Sequence, residues 1–110
     1  MNNDNFFPFG YQLFATQYIE NLDQLKKLQT LNLSCNMIEK MEKLEKLTRL
    51  RELNISYNCV SKLEGLENLT SLQILNITGN NIEHIPVLIG KRLKALRKFL
   101  CAKNDIQSVS

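Results

Sequence analysis

Leucine at position 28 recurs at 50 and again at 72, an interval of 22 residues each time. The same shift carries Leu31 to Leu53 to Leu75, Leu33 to Ile55 to Ile77, Asn36 to Asn58 to Asn80, and Ile38 to Val60 to Ile82. Met41, Leu63 and Ile85 form a further column, as do Leu44, Leu66 and Leu88. A fourth copy runs through Leu96, Phe99, Cys101, Asn104, Ile106 and Val109, displaced by 24 through a two-residue insertion around Leu88–Leu93. Self-similarity at this period constrains the fold more than any other feature. One such unit cannot bury its own apolar face, so neighbouring units must stack and share a continuous core.

Within each unit the L-x-L step has the period of a strand. Leu31 and Leu33 fall on one face, and Thr30, Asn32 and Ser34 on the other. The leucines are expected inside, with the strands of successive units paired in parallel on a concave side. Each of Asn36, Asn58, Asn80 and Asn104 is expected to turn the chain out of its strand, its amide bonding backbone groups of the turn and the next coil. The return segments Glu42–Arg49, Glu64–Ser71 and Val87–Ala95 carry leucines three apart, which suits a short helix or a single 3₁₀ turn. The last is expected to be the most helical, although Gly90 weakens it. Ahead of the full units, Ile19, Leu22 and Leu25 match the second half of a preceding one. Subtracting 22 from the asparagine column lands on Phe14, so residues 1–18 are expected to be a degenerate N-terminal cap or an unstructured leader. Residues 19–110 are expected to be a half unit, three full units and an unfinished one. Ser110 follows the last apolar column directly, which suggests a natural polypeptide continuing into further repeats or a capping helix.

Written out, the unit is L-x-x-L-x-L-x-x-N-x-I-x-x-I-x-x-L. This resembles the leucine-rich repeat, specifically the short 22-residue class of the phosphatase-1 regulatory subunit family. The resemblance implies an α/β solenoid with short parallel strands on the concave face and helical or 3₁₀ turns on the convex face. The strings Tyr-Ile-Glu-Asn-Leu at 18–22, Leu-Asn-Leu-Ser at 31–34, Leu-Arg-Glu-Leu-Asn-Ile-Ser-Tyr-Asn at 50–58 and Ile-Glu-His-Ile-Pro-Val at 82–87 are similar to the repeat region of the centriolin family of centrosomal coiled-coil proteins. That likeness implies a scaffold role at the centrosome or midbody. The chain departs from the family in lacking coiled-coil heptads and in its first 17 residues. Axonemal dynein-type and phosphatase-regulatory adaptors of the same repeat class are the alternative. Four units make a short arc for wrapping a phosphatase, and a spliceosomal repeat protein holding an RNA-binding domain calls for a more strongly featured concave face.

Composition narrows the setting. A length of 110 residues fits one domain, and 44% hydrophobic with 23% charged residues is a folded, soluble balance. Three cysteines, none in a CxxC pair, leave one unpaired in any scheme and argue for a reducing compartment. Met1–Tyr11 lacks a basic leader region and is broken by Pro8 and Gly10, unlike a signal peptide. No apolar run approaches the roughly 20 residues of a membrane span. Cytosol, nucleus and cytoskeleton all fit these features; a cytoplasmic location is expected, with the centrosome or cilium-associated cytoskeleton as the place the resemblance implies. The net charge of +3 is too small for a nucleic-acid signature.

The candidate protein-binding residues are the outward columns of the concave side: Thr30, Glu52, Ile74 and Lys98; Asn32, Asn54 and Asn76; Ser34, Ser56 and Thr78. Tyr57, an aromatic among small neighbours, is the best candidate for an energetic anchor. The asparagine column suits a peptide backbone, although stacked amides also serve simply as a solubilising ladder. Asn32-Leu-Ser34, Asn54-Ile-Ser56, Asn68-Leu-Thr70 and Asn76-Ile-Thr78 match the glycosylation sequon and are read as by-products of the repeat. His84 lies in the column of Lys40 and Lys62, a solvent-facing loop position, and one histidine without a cysteine pair suggests neither a metal site nor a catalytic dyad. Cys101 is expected in the core, and Cys35 and Cys59 on loops. Lys91, Arg92, Lys94, Arg97 and Lys98 form a local basic cluster that an acidic helix or a phosphate surface could use. No phosphate-binding loop, nucleophile elbow, metal motif or paired-carboxylate motif occurs. The chain is therefore expected to be non-catalytic, without cofactor or small-molecule substrate. Its expected partner is a protein; a membrane is not expected, and nucleic acid is disfavoured.

Overall fold

The computed structural model describes residues 6–7, 10–14 and 16–109. Strand β1 is Phe6–Phe7, β2 Gly10–Gln12, β3 Thr30–Asn32, β4 Glu52–Asn54, β5 Ile74–Asn76, β6 His84–Ile85, β7 Lys98–Leu100 and β8 Ser108–Val109, and the helix α1 is Leu88–Arg92. Six strands make one sheet in the order β1-β2-β3-β4-β5-β7, antiparallel only between β1 and β2. Its parallel register sets Thr30 beside Glu52, Ile74 and Lys98 in turn, and Asn32 beside Asn54, Asn76 and Leu100. The 22-residue shift is therefore the shift that brings one coil over the next.

The core is the set of repeat columns. Leu31, Leu33, Leu50, Leu53, Ile55, Leu72, Leu75 and Ile77 are buried, together with Ile38, Val60 and Ile82. Met41, Leu63 and Ile85 line the far side, as do Leu44 and Leu66. The next member of that last column is Ile89 rather than Leu88, because the inserted residues rotate the chain as it enters α1. Leu96, Phe99, Cys101 and Ile106 of the final coil pack on this core but stay half-buried.

Only the last return segment is helical, over Leu88–Arg92, and Gly90 sits inside it with no atom within 4 Å of the place a Cβ would occupy. The others turn through successive i to i+3 backbone bonds. Leu47 N–H donates to Leu44 and Leu50 N–H to Leu47, with the same pair at Leu69 and Leu72. A 22-residue coil that spends three residues on its strand and several on its asparagine turn has no length left for a full helix. The 24-residue unit does, which is why α1 forms there.

The asparagine turns differ from expectation in direction: they bond the preceding coil. Asn58 Nδ2 donates to Leu33 O at 2.9 Å, to Ile55 O at 3.0 Å and to Ser56 O at 3.2 Å, while its Oδ1 accepts from Ile38 N–H at 3.0 Å. Asn80 repeats the set with Ile55, Ile77, Thr78 and Val60. One amide thus satisfies groups of two coils in a place water does not reach.

The solenoid reaches further toward the N-terminus than a 22-residue subtraction allows. Tyr11 pairs beside Leu31, and Leu13 N–H donates to Asn32 O as Leu33 N–H does to Asn54 O. Thr16 N–H, in turn, meets Asn36 Oδ1 as Ile38 N–H meets Asn58 Oδ1. Leu13 is thus 20 residues behind its counterpart Leu33, and Thr16 is 22 behind Ile38. Two residues are deleted from the asparagine turn itself, which is why that column fell on Phe14. At the other end, β6 and β8 pair in parallel, so His84 lies on a short strand instead of the expected loop.

Candidate functional site

The concave side assembles the columns that the sequence nominated. Thr30, Glu52 and Lys98 are exposed along one row, with Ile74 half-buried between them. Asn32, Asn54 and Asn76 form the next row, all half-buried. Together with Leu100 these residues, Lys98 excepted, line a shallow groove of about 190 Å³ running across the strands. Ser34 and Thr78 are half-buried, whereas Ser56 is buried and does not present a free hydroxyl. Its Oγ donates to Asn54 Oδ1 at 2.6 Å.

That bond belongs to a repeated arrangement that sequence reading passed over. Asn32 Oδ1 accepts from Ser34 N–H at 2.9 Å and from its Oγ at 2.6 Å; Asn54 Oδ1 accepts likewise from Ser56. Asn76 Oδ1 accepts from Thr78 N–H at 3.0 Å. The Asn-x-Ser/Thr strings, read as accidental sequons, have a local purpose: the asparagine carbonyl ties down the backbone where the strand ends. Each amide is fixed with its oxygen along the strand. Asn68, in the fourth string, lies on the convex side and donates to Glu45 O at 3.3 Å.

Tyr57 stands at the rim of the face, 48% exposed, with a positive φ of 55°. Its column is Cys35, Tyr57, Gly79 and Lys103, and all four adopt the left-handed conformation, with φ between 55° and 73°. The turn into the asparagine demands this geometry, which costs a non-glycine residue about 1 kcal/mol or more. At Gly79 the demand is doubled, because an added Cβ would lie 2.6 Å from Tyr57 Cδ1. The Tyr57 ring therefore lies over Gly79, and Lys103 approaches from beyond, its Nζ 5.7 Å from the ring centroid and 3.4 Å from the hydroxyl. A second left-handed column, Asn21, Lys43 and Gly65, lies on the convex side and ends where α1 begins.

Other nominated groups scatter. Lys91 and Arg92 lie in α1 on the return side, where the Arg92 guanidinium donates to Glu67 O, while Lys98 lies in β7 on the concave side. Members of the cluster thus face two ways. His84 Nδ1 meets Ser108 Oγ across β6 and β8 in an exposed position, with no carboxylate bonded to the ring. Cys35 and Cys59 are exposed and Cys101 is half-buried against the core. Among the described residues no group of three or more His, Cys, Asp or Glu could hold a metal ion, and no helix is long and apolar enough to cross a membrane.

Comparison with known proteins bears on this architecture. A leucine-rich-repeat family model of two copies matches residues 48–90, and a single leucine-rich-repeat model matches residues 24–40. No curated protein matches the chain. Among solved structures, a chain of the Drosophila melanogaster SNF/U2A′ complex is 28% identical at a TM-score of 0.72, over 88% of this chain and 59% of that one. An internalin from Listeria monocytogenes is 24% identical at a TM-score of 0.66, over 81% of this chain and 30% of its own. A chain of the TLR13–ssRNA13 complex is 22% identical at 0.71, over 81% and 13%. The chain thus spans less than two thirds of each of these three, and the last two are likenesses of fold alone. The stacked parallel strands, the asparagine turns and the two family matches agree: the chain folds as a leucine-rich-repeat solenoid.

Proposed function

We propose that the chain is a non-catalytic protein-interaction module that binds its partner on the concave sheet. The observation that carries this reading is the open face itself. Five parallel strands present Glu52, Ile74 and Lys98 beside a row of amides, and no element of the described chain covers them. Rigid strands hold these side chains in place before a partner arrives, so little ordering cost is added on binding. The groups on the face are amides, hydroxyls, an isolated acid and an isolated base, a set suited to recognition and not to bond-making.

The strings at 50–58 and 82–87 support a centrosomal or cytoskeletal scaffold in the cytoplasm as the setting, with axonemal dynein-type or phosphatase-regulatory adaptors as the alternative of the same class. A second reading draws on the 28% identity to a chain of the SNF/U2A′ complex, an adaptor that assembles with a protein of the kind held there. Proximity labelling separates them. The full chain is expected to label a reproducible set of proteins, and Ile74→Arg on the concave face is expected to lose them. Lys46→Glu on the convex side is expected to keep them. Loss on Lys46→Glu with retention on Ile74→Arg would overturn the concave reading, and the identity of the labelled proteins assigns the setting.

A further inference from the structure

The partner-facing chemistry of the concave sheet is set by the way its asparagines are tied. In Asn32, Asn54 and Asn76 the carbonyl oxygen is already engaged by the backbone N–H two residues on. The amide nitrogens of the same three residues meet no acceptor among the described residues. The side chains are half-buried in register on adjacent strands. The face therefore carries a column of –NH₂ groups that can only donate, spaced at the interstrand distance of about 4.8 Å. A carboxamide free to rotate could present either group; these three are held by the N–H two residues on, and in Asn32 and Asn54 a hydroxyl engages the oxygen as well.

We propose that this donor ladder, within the concave-face reading above on which it rests, selects a helix bearing a stripe of carboxylates. The spacing decides among acceptor-rich partners. On an α-helix, side chains at i, i+3 and i+7 rise by about 4.5 and 10.5 Å, close to the ladder's intervals of about 4.8 and 9.6 Å. Same-side carbonyls of an extended strand recur at about 6.8 Å and miss the second rung. Five parallel strands from β2 to β7 leave four gaps, about 19 Å in all, which a helix of about 13 residues would cover. Lys98 at one end of the exposed row adds a cation for the stripe, and Ile74 and Leu100 offer apolar contact beside it. A nucleic-acid strand also brings acceptors, but the three outward columns hold no aromatic ring on which bases stack, Tyr57 standing apart at the rim.

The test uses a nearly isosteric change that keeps the tied oxygen and turns each outward donor into a charged acceptor. Asn→Asp at 32, 54 and 76 keeps an oxygen for the Ser or Thr N–H while replacing the outward –NH₂ by a second oxygen. The fold is expected to survive, as read by circular dichroism and melting temperature. The probe is a stapled helical peptide of about 15 residues with Glu at i, i+3 and i+7, measured by fluorescence anisotropy against the full chain. Controls are the same peptide with Lys at those positions, a scrambled peptide with Glu spaced by two, and a short oligouridine. The native chain is expected to bind the Glu-stripe peptide at least about tenfold better than either peptide control or the oligouridine, and the triple Asn→Asp chain to lose that preference. Equal binding to the striped and scrambled peptides, a preference for oligouridine, or unchanged binding by the triple variant would overturn the ladder. Failure of the ladder alone is recognisable. In that case the triple variant still labels the native chain's partners while Ile74→Arg does not.

Discussion

Replacing Asn58 by alanine removes one donor-acceptor side chain from the middle of the stack, and the structure says which groups are left without a partner. Leu33 O keeps the amide of Asn36, Ile55 O keeps that of Asn80, and Ser56 O keeps the Cys35 N–H. Ile38 N–H has no second acceptor and is fully buried. The dominant cost is therefore one orphaned buried donor, about 1–3 kcal/mol, with three shared carbonyl bonds adding on the order of 1 kcal/mol in total. The sum, roughly 2–4 kcal/mol, is a large fraction of the ~5–15 kcal/mol that stabilises a chain of this size. Asn104→Ala supplies the comparison. Its partners are the same in kind, Ile82 N–H with Ile77, Cys101 and Ala102 carbonyls, but the site is half-buried, so water can replace part of what is lost. Urea denaturation followed by circular dichroism is expected to show Asn58→Ala costing at least ~1 kcal/mol more than Asn104→Ala. Ile38 and Ile82 are equally buried, so equal costs, or a larger one at Asn104, would refute the reasoning that burial of the asparagine itself sets the magnitude.

Two glycines of opposite circumstance make a second test. Gly79→Ala places a methyl against the Tyr57 ring at a φ of +73° and is expected to destabilise by about 1–3 kcal/mol, whereas Gly90→Ala, in α1 with open space around it, is expected to stabilise by about 0.5–1 kcal/mol; thermal melts read both. Lys43 holds the left-handed position that Gly65 fills one coil later, so Lys43→Gly is expected to leave stability unchanged or raise it by up to about 1 kcal/mol. A fall in melting temperature at Lys43→Gly would show that its side chain contributes more than its backbone strain costs.

Much of the fold was legible because apolar columns at a constant interval admit one physical solution. The inward leucines, the strand positions and the asparagine turns followed from that period alone. The register at the N-terminus did not, since a two-residue deletion inside the turn between Leu13 and Thr16 breaks any fixed subtraction. The left-handed column was hidden for a different reason. Only Gly79 among its four members is a residue that favours that conformation, and Cys35, Tyr57 and Lys103 adopt it because the asparagine bonds that follow repay the strain. The short sheet of β6 and β8 was equally obscure: its apolar rung, Ile85 beside Val109, is a column of the repeat, but the earlier coils carry no strand there, and its other rung is a histidine and a serine. On the candidate face, the nominated columns fall side by side as the period requires, although Ser56 is buried, and the sequence reading missed how the asparagine amides are tied. Whether an asparagine amide is free or tied depends on the N–H two residues later, and the Ser or Thr that marks this bond looked like part of an unrelated motif.

Hydrogen exchange on the full chain, alone and with a partner recovered by proximity labelling, tests the concave-face account most directly. The account predicts added protection in the segments 30–34, 52–56, 74–78 and 98–100, with the convex turns around 44–50 and 66–72 unchanged. Protection confined to those convex turns, with the four strands exchanging as in the free chain, would contradict it.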